Sequence, residues 1–226
     1  MILRRAAWVG LALLLALPAA AADPDWAAPF RKYVNARSYL NQIGQQIARM
    51  EERLAPQCIQ VLAGMKREGL RVVATPEFVP GLPIPQGGQW HEQVRIDRCG
   101  DPAWHNVLVT AIKGGTPVMT VLLPGSSKAD GRLQVNAAPA AFAIAGARVG
   151  DRCIGGVRHI IDTRFVGYLG TSGDRPPEQR LWREIWTVRL CGENVSVRMD
   201  FAPDGRGGVT HRADMASAED LERSNE

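Results

Sequence analysis

The chain is short of the compact motifs from which chemistry is usually read. Its four cysteines include no Cys-x-x-Cys, which argues against a thiol oxidoreductase, and no Cys-x-x-Cys-His, which argues against covalently attached haem. The four histidines, His91, His105, His159 and His211, form no His-x-x-x-His or His-x-His pair, so neither a metal site nor a cofactor is expected. No serine sits in a Gly-x-Ser-x-Gly elbow, and no cysteine is placed as a nucleophile with a histidine partner. The Gly-Gly pairs lack both phosphate-loop patterns and read as turns. Lys and Arg are interspersed with Asp and Glu rather than massed in a block, which leaves little support for nucleic-acid binding. Past Ala22 no apolar run is long enough to cross a bilayer, so no stable membrane span is expected once a leader is removed.

The leader itself is plain. Arg4 and Arg5, an apolar stretch from Ala6 to Leu17, then Pro18 and an alanine run to Ala22 form an export signal over residues 1–22, with cleavage expected after Ala22. No cysteine stands at that point to be acylated. The formal charge of +4 includes Arg4 and Arg5, and no acid precedes Asp23, so the mature chain is left at +2. A periplasmic location follows, and there four cysteines favour two disulfides over free thiols.

What the chain does have, it has twice. Trp90-x-Glu92 leads to Cys99-Gly100, and Trp182-x-Glu184 leads to Cys191-Gly192 with the same internal spacing. A basic residue and two glycines follow each, at Lys113-Gly114-Gly115 and Arg206-Gly207-Gly208. Spacing alone cannot choose among three cysteine connectivities, but a repeat in which each copy keeps its own pair predicts Cys58 with Cys99 and Cys153 with Cys191. Each would close a loop of about forty residues, worth a few kcal/mol in a chain-entropy estimate.

The hydrophobic pattern changes along the chain. Tyr33, Leu40, Ile47 and Leu54 recur at seven-residue steps with polar residues elsewhere on the wheel, which predicts one amphipathic helix from about Pro29 to Leu54, roughly 39 Å long. Its stripe can pack on the rest of the chain or serve self-association, since the near-heptad period suits a coiled coil. Trp90 to Arg98 and Trp182 to Leu190 then alternate. So do Val107 to Ala111 and Val195 to Phe201, so each copy reads as a β-hairpin turning at Cys-Gly. Ala137-Ala138-Pro139 opens a second, short helix before Cys153. The small polar stretch Ser126 to Gly131 marks the boundary between units, and 213–226 reads as a mobile polar tail.

The expected fold is therefore α+β: two related disulfide-stapled antiparallel β units, each preceded by a helix, the first helix long. Its parts are a leader at 1–22, a first unit at 23–130, a second at 131–212 and the tail. Within them Glu92 and Glu184 are the candidate binding residues, with Trp90 and Trp182. Strand alternation puts each glutamate on the buried face beside its tryptophan, where a carboxylate must be paired, protonated or beside a cleft. The structural reading pairs it with an arginine such as Arg95, Arg98, Arg164 or Arg189. The functional reading makes it an acid-base group or a ligand contact.

The pattern Trp182-x-Glu184-x-Trp186-x-Val188-x-x-Cys191-Gly192, continuing through Asp204-Gly205-x-Gly207-Gly208, resembles one in small exported proteins and lipoproteins of proteobacteria that carry no assigned function. The resemblance covers about sixty residues of the second copy and, less closely, the first, where Val94 replaces the second tryptophan. It implies an envelope location and no activity. A non-catalytic envelope protein that binds a protein or envelope component is the preferred reading. A periplasmic enzyme acting on cell-wall or sugar substrates through Glu92 or Glu184 is the alternative.

Overall fold

The structure, a computed structural model, describes residues 24–58, 64–153, 156–170, 176 and 179–223. The expected leader and its cleavage point at Ala22 lie outside the described residues.

Helices α1 (Ala27–Val34) and α2 (Arg37–Leu54) precede a four-stranded antiparallel sheet of β1 (Lys66–Glu77), β2 (Gly87–Arg98), β3 (Asp101–Thr110) and β4 (Val118–Val121) in chain order. Helix α3 (Gly131–Val149) precedes a second such sheet of β5 (Arg158–Leu169), β6 (Leu181–Leu190), β7 (Glu193–Pro203) and β8 (Val209–Met215). A short helix α4 (Ala218–Arg223) follows. The fold is α+β, with two sheets and two cystines, Cys58–Cys99 and Cys153–Cys191, whose Cα atoms lie 5.3 and 5.8 Å apart. Each cystine joins the chain just after a helix to a hairpin turn. In that turn cysteine and glycine both have positive φ: 54° and 93° at Cys99-Gly100, 50° and 85° at Cys191-Gly192. Two such residues in succession form the turn whose twist matches a tight hairpin. The basic Gly-Gly segments lie in the turns into β4 and β8, two strands that the alternation pattern does not mark.

Three expectations are corrected. The single long N-terminal helix is broken: Asn35 ends α1 and Ala36 turns extended at φ −66°, ψ 138° before α2 begins. The cause is tertiary. The Arg67 guanidinium, from β1, donates to the Val34 carbonyl at 2.5 Å and to Asn35 Oδ1 at 3.0 Å, satisfying backbone that a continuous helix would use itself. The second helix is not short but runs for 19 residues through Pro139, because both Pro139 and Val135, whose carbonyl loses its helical donor, face solvent. Nor is 213–226 a featureless tail: it holds the end of β8 and α4, up to the last described residue, Arg223. There Ser217 and Asp220 bond reciprocally at the helix start, and Asp220, 4% exposed, pairs with Arg183 of β6 at 2.8 Å.

The two cores divide volume in opposite ways. In the first unit Phe30, Tyr39, Ile43 and Ile47 bring bulk from the helices onto one buried tryptophan, Trp90. Tyr39, Ile43 and Ile47 of α2 are buried against this sheet, with Tyr33 and Leu40 partly buried beside them. In the second, Leu133, Ala137, Ala141, Ala145 and Val149 present a narrow stripe at four-residue spacing, letting α3 sit close over Trp182, Trp186 and Phe201.

The boundary segment sews the units together instead of spacing them. Gly125 donates to the Trp104 carbonyl of β3 at 2.8 Å, and Ser126 to the Thr163 carbonyl of β5 at 2.7 Å. Asn106 Nδ2 donates to the carbonyls of Leu123 and Gly125, and the Thr163 hydroxyl to that of Pro124. A second junction forms around Glu51, 2% exposed, which accepts from Arg98 at 2.6 and 2.8 Å and lies 2.8 Å from His105 Nε2. Arg98 also donates to the Ile161 carbonyl of the second unit, and Arg189 of that unit donates to the Leu54 carbonyl of the first.

Burial by itself would raise the Glu51 pKa, but hydrogen bonds from His105 and Arg98, reinforced by their charges, hold it down at about 2. Because the folded value lies below the unfolded one, near 4.5, its stabilisation is complete above pH 4.5 and fades as pH falls toward 2. The expected result is that Glu51→Gln flattens the fall in unfolding free energy across that window, measured by urea denaturation at successive pH values. Parallel curves for the two proteins would refute the assignment.

Candidate functional site between the two units

Strand alternation decides what each face of the first sheet can do. Trp90, Glu92, Val94 and Ile96 of β2 face the helices, so Gln89, His91 and Gln93 face the other way. That outer face does not meet open solvent throughout, because the second unit stands over it. Between them lies a cleft of about 1020 Å³. The first unit contributes Arg71, Gln89, His91, Gln93, Asn106 and Leu108, and the other wall is formed by Ser126 to Gly131, Gln134, Tyr168, Trp182 and Val209.

Several of these groups are already committed. Gln89 donates to Thr110 Oγ1 at 3.0 Å, and Gln134 Oε1 accepts from Leu123 N while its Nε2 donates to the Ala129 carbonyl. Asp130 caps α3 by accepting from Leu133 N at 2.8 Å. Two cations are not neutralised: among the described residues no carboxylate pairs with Arg71 or Lys128, and the Lys128 ammonium lies 5.2 Å over the Phe165 ring. Arg71 stands opposite His91 in the ladder between β1 and β2. Burial first, and then the Arg71 charge, push His91 below its ordinary pKa. The cleft is thus polar, net basic and edged with aromatic surface, suited to a ligand carrying negative charge and hydroxyl or amide groups.

The four residues singled out by the repeat separate here. Trp90 is fully buried in the first core, and Trp182, 7% exposed and stacked on Phe201 at 4.9 Å, shows an edge to the cleft. Glu184 is sealed. Trp182 Nε1 and the Lys128 backbone N–H donate to its Oε1 at 2.9 and 2.7 Å, and Trp186 Nε1 donates to its Oε2 at 2.7 Å. Among the described residues no arginine is involved, contrary to the expected ion pair: two indoles and a backbone amide hold the carboxylate instead.

Glu92, 1% exposed, is built differently. Trp90 Nε1 donates to the Tyr39 hydroxyl at 2.8 Å, which leaves that hydroxyl's single proton to go to Glu92 Oε1 at 2.7 Å. Arg67 Nε lies 2.8 Å from Oε2 as an ion pair, although among the described residues no well-aligned hydrogen bond reaches that oxygen. Its arginine is Arg67, none of the four expected: Arg95 pairs with Glu68, Arg98 with Glu51, and Arg164 with Asp162, while Arg189 bonds Asn194 and the Leu54 carbonyl. Burial pushes the Glu92 carboxyl up, against the opposing effects of Tyr39 and Arg67. A smaller cavity of about 300 Å³ opens beside it, lined by Asn35, Leu40, Ile43, Met65, Arg67, Glu92 and Val94.

Sequence reasoning missed the cleft because its residues carry no shared motif. Arg71 and His91 are 20 positions apart and meet only through strand register, and the wall opposite comes from the boundary segment and the other unit. Among the described residues no cluster of His, Cys, Asp or Glu could hold a metal ion, and no helix is long and apolar enough to cross a membrane. No family model, no curated protein and no solved structure matches this chain.

Proposed function

We propose that this is a non-catalytic binding protein of the cell envelope, exported to the periplasm with cleavage after Ala22, whose cleft takes an anionic polar ligand such as an acidic oligosaccharide. The observation that carries the reading is the cleft itself, about 1020 Å³ and holding an arginine without a carboxylate partner among the described residues. Two cystines and no free cysteine among the described residues support an oxidising compartment. The two units are read as copies of one ancestral unit, with the ligand held where they meet. The catalytic alternative needs a repeat glutamate that reaches substrate with a second carboxylate within about 10 Å. Enclosure of Glu184 by three N–H donors, and a Glu92 cavity lined by no other carboxylate among the described residues, favour the non-catalytic reading.

Calorimetric titration with a uronic-acid oligosaccharide, and with a neutral one of equal length, tests this. The acidic sugar is expected to bind more tightly, to weaken with salt and to lose at least about tenfold in affinity in Arg71→Ala, whose melting temperature should be unchanged because the side chain is exposed. Equal binding of both sugars, no binding of either, or an unaffected variant would sink the proposal.

A further inference from the structure

The two copies of the repeat answer the same question differently, and one answer is incomplete. Trp182-x-Glu184-x-Trp186 aligns with Trp90-x-Glu92-x-Val94. In the second unit the Trp186 indole closes the clamp by donating to Glu184 Oε2 at 2.7 Å. In the first unit the equivalent residue is Val94, Glu92 Oε2 has the Arg67 Nε ion pair at 2.8 Å but, among the described residues, no aligned hydrogen bond, and Val94 and Glu92 both line the cavity of about 300 Å³. What Val94 lacks relative to Trp186 is an aromatic ring bearing an N–H, and Val94 lines the cavity that opens beside Glu92.

We infer that this cavity is a binding site for a small planar N–H heteroaromatic of the indole class, whose ring packs on Val94, Leu40, Ile43 and Met65 while its N–H donates to Glu92 Oε2. Four apolar side chains supply the wall, and Arg67, whose terminal nitrogens are tied to Val34 and Asn35, balances the carboxylate charge through its Nε, 2.8 Å from Oε2, while a carboxylate oxygen can accept a second donor from the cavity side. The size is at the lower end for small-molecule pockets, which admits one fused ring system and little more. Half-exposed Leu40, Met65 and Arg67 form the mouth. Neither Tyr39 nor Trp90 can fill the vacancy, since the one donates to Oε1 and the other to Tyr39. A ligand without the N–H would bury an acceptor and give nothing back, so discrimination should rest on that one proton. The site lies on the helix side of the first sheet, apart from the inter-unit cleft, and stands or falls independently of it.

The test is ligand-observed NMR and calorimetry on the full protein with indole and with 1-methylindole, which keeps the ring and removes the donor. Indole is expected to bind, and 1-methylindole at least tenfold more weakly. Val94→Trp supplies the ring covalently and should abolish indole binding while raising or preserving the melting temperature. Equal affinity for the two compounds, no binding of indole, or undiminished binding to a folded Val94→Trp would each overturn the assignment. The comparison of the two compounds needs no variant and decides the matter even where Val94→Trp does not fold.

Discussion

Replacing Gly125 by Ala is expected to lower stability by about 3 to 5 kcal/mol, an unusually large cost for one methyl group. Gly125 has a φ of 101°, in the region that side chains avoid, and a Cβ there would overlap the Thr163 backbone. It cannot simply move aside, because its N–H is bonded to Trp104 and its carbonyl to Asn106 of one unit, while the next residue is bonded to Thr163 of the other. The variant must either strain the crossing or give up the hydrogen bonds that sew the sheets together. Guanidinium unfolding followed by tryptophan fluorescence distinguishes these. A lower midpoint with one transition indicates strain, and two transitions indicate units that have come apart. An unfolding free energy within about 0.5 kcal/mol of the parent would show that the crossing is not tight.

The second large effect is expected from Glu184→Gln, at about 3 kcal/mol. Both carboxylate oxygens accept, from Trp182 and Lys128 on one and Trp186 on the other, so either orientation of the amide turns an NH₂ group toward an N–H donor. Glu92→Gln should cost less. Its Oε2 faces one poorly aligned ion pair, to half-exposed Arg67, rather than a buried indole donor, and burial already opposes its charge. The sign can be checked separately. A carboxyl whose folded pKa is raised favours the fold at low pH and loses that contribution as pH rises through the folded value, so Glu92→Gln should compare best with the parent at higher pH. Equal losses for the two substitutions at neutral pH would mean that the indole clamp contributes nothing special.

Much of the architecture was legible because it is local or periodic. Alternation in β2 and β6, the Cys-Gly turns and the pairing of each cysteine within its own unit all follow from short-range pattern and from the doubling of the motif. The missed elements have physical reasons. Strands β4 and β8 are edge strands of 4 and 7 residues, with partly exposed side chains that blur alternation. Helix α4 has six residues and too few apolar positions to show a period, although Ser217 three residues before Asp220 is a capping signal. The break at Asn35-Ala36 contains no proline or glycine, and depends on Arg67 arriving from another element.

For the candidate sites the division is sharper. Alternation alone places Glu92 and Glu184 on buried faces beside their tryptophans, and the motif shows that Val94 stands where its counterpart is Trp186. It says nothing of what meets each carboxylate: a tyrosine 53 positions away and an arginine from β1 in one unit, a linker amide in the other. The inter-unit cleft is wholly a product of how the sheets are joined. The sequence by itself determined two stapled antiparallel units with a carboxylate at the heart of each, because strand period and turn chemistry are written residue by residue. Only the tertiary structure decided that one carboxylate is closed by its own indoles while the other faces a cavity. The space left beside a buried group depends on the volumes brought by helices from elsewhere in the chain.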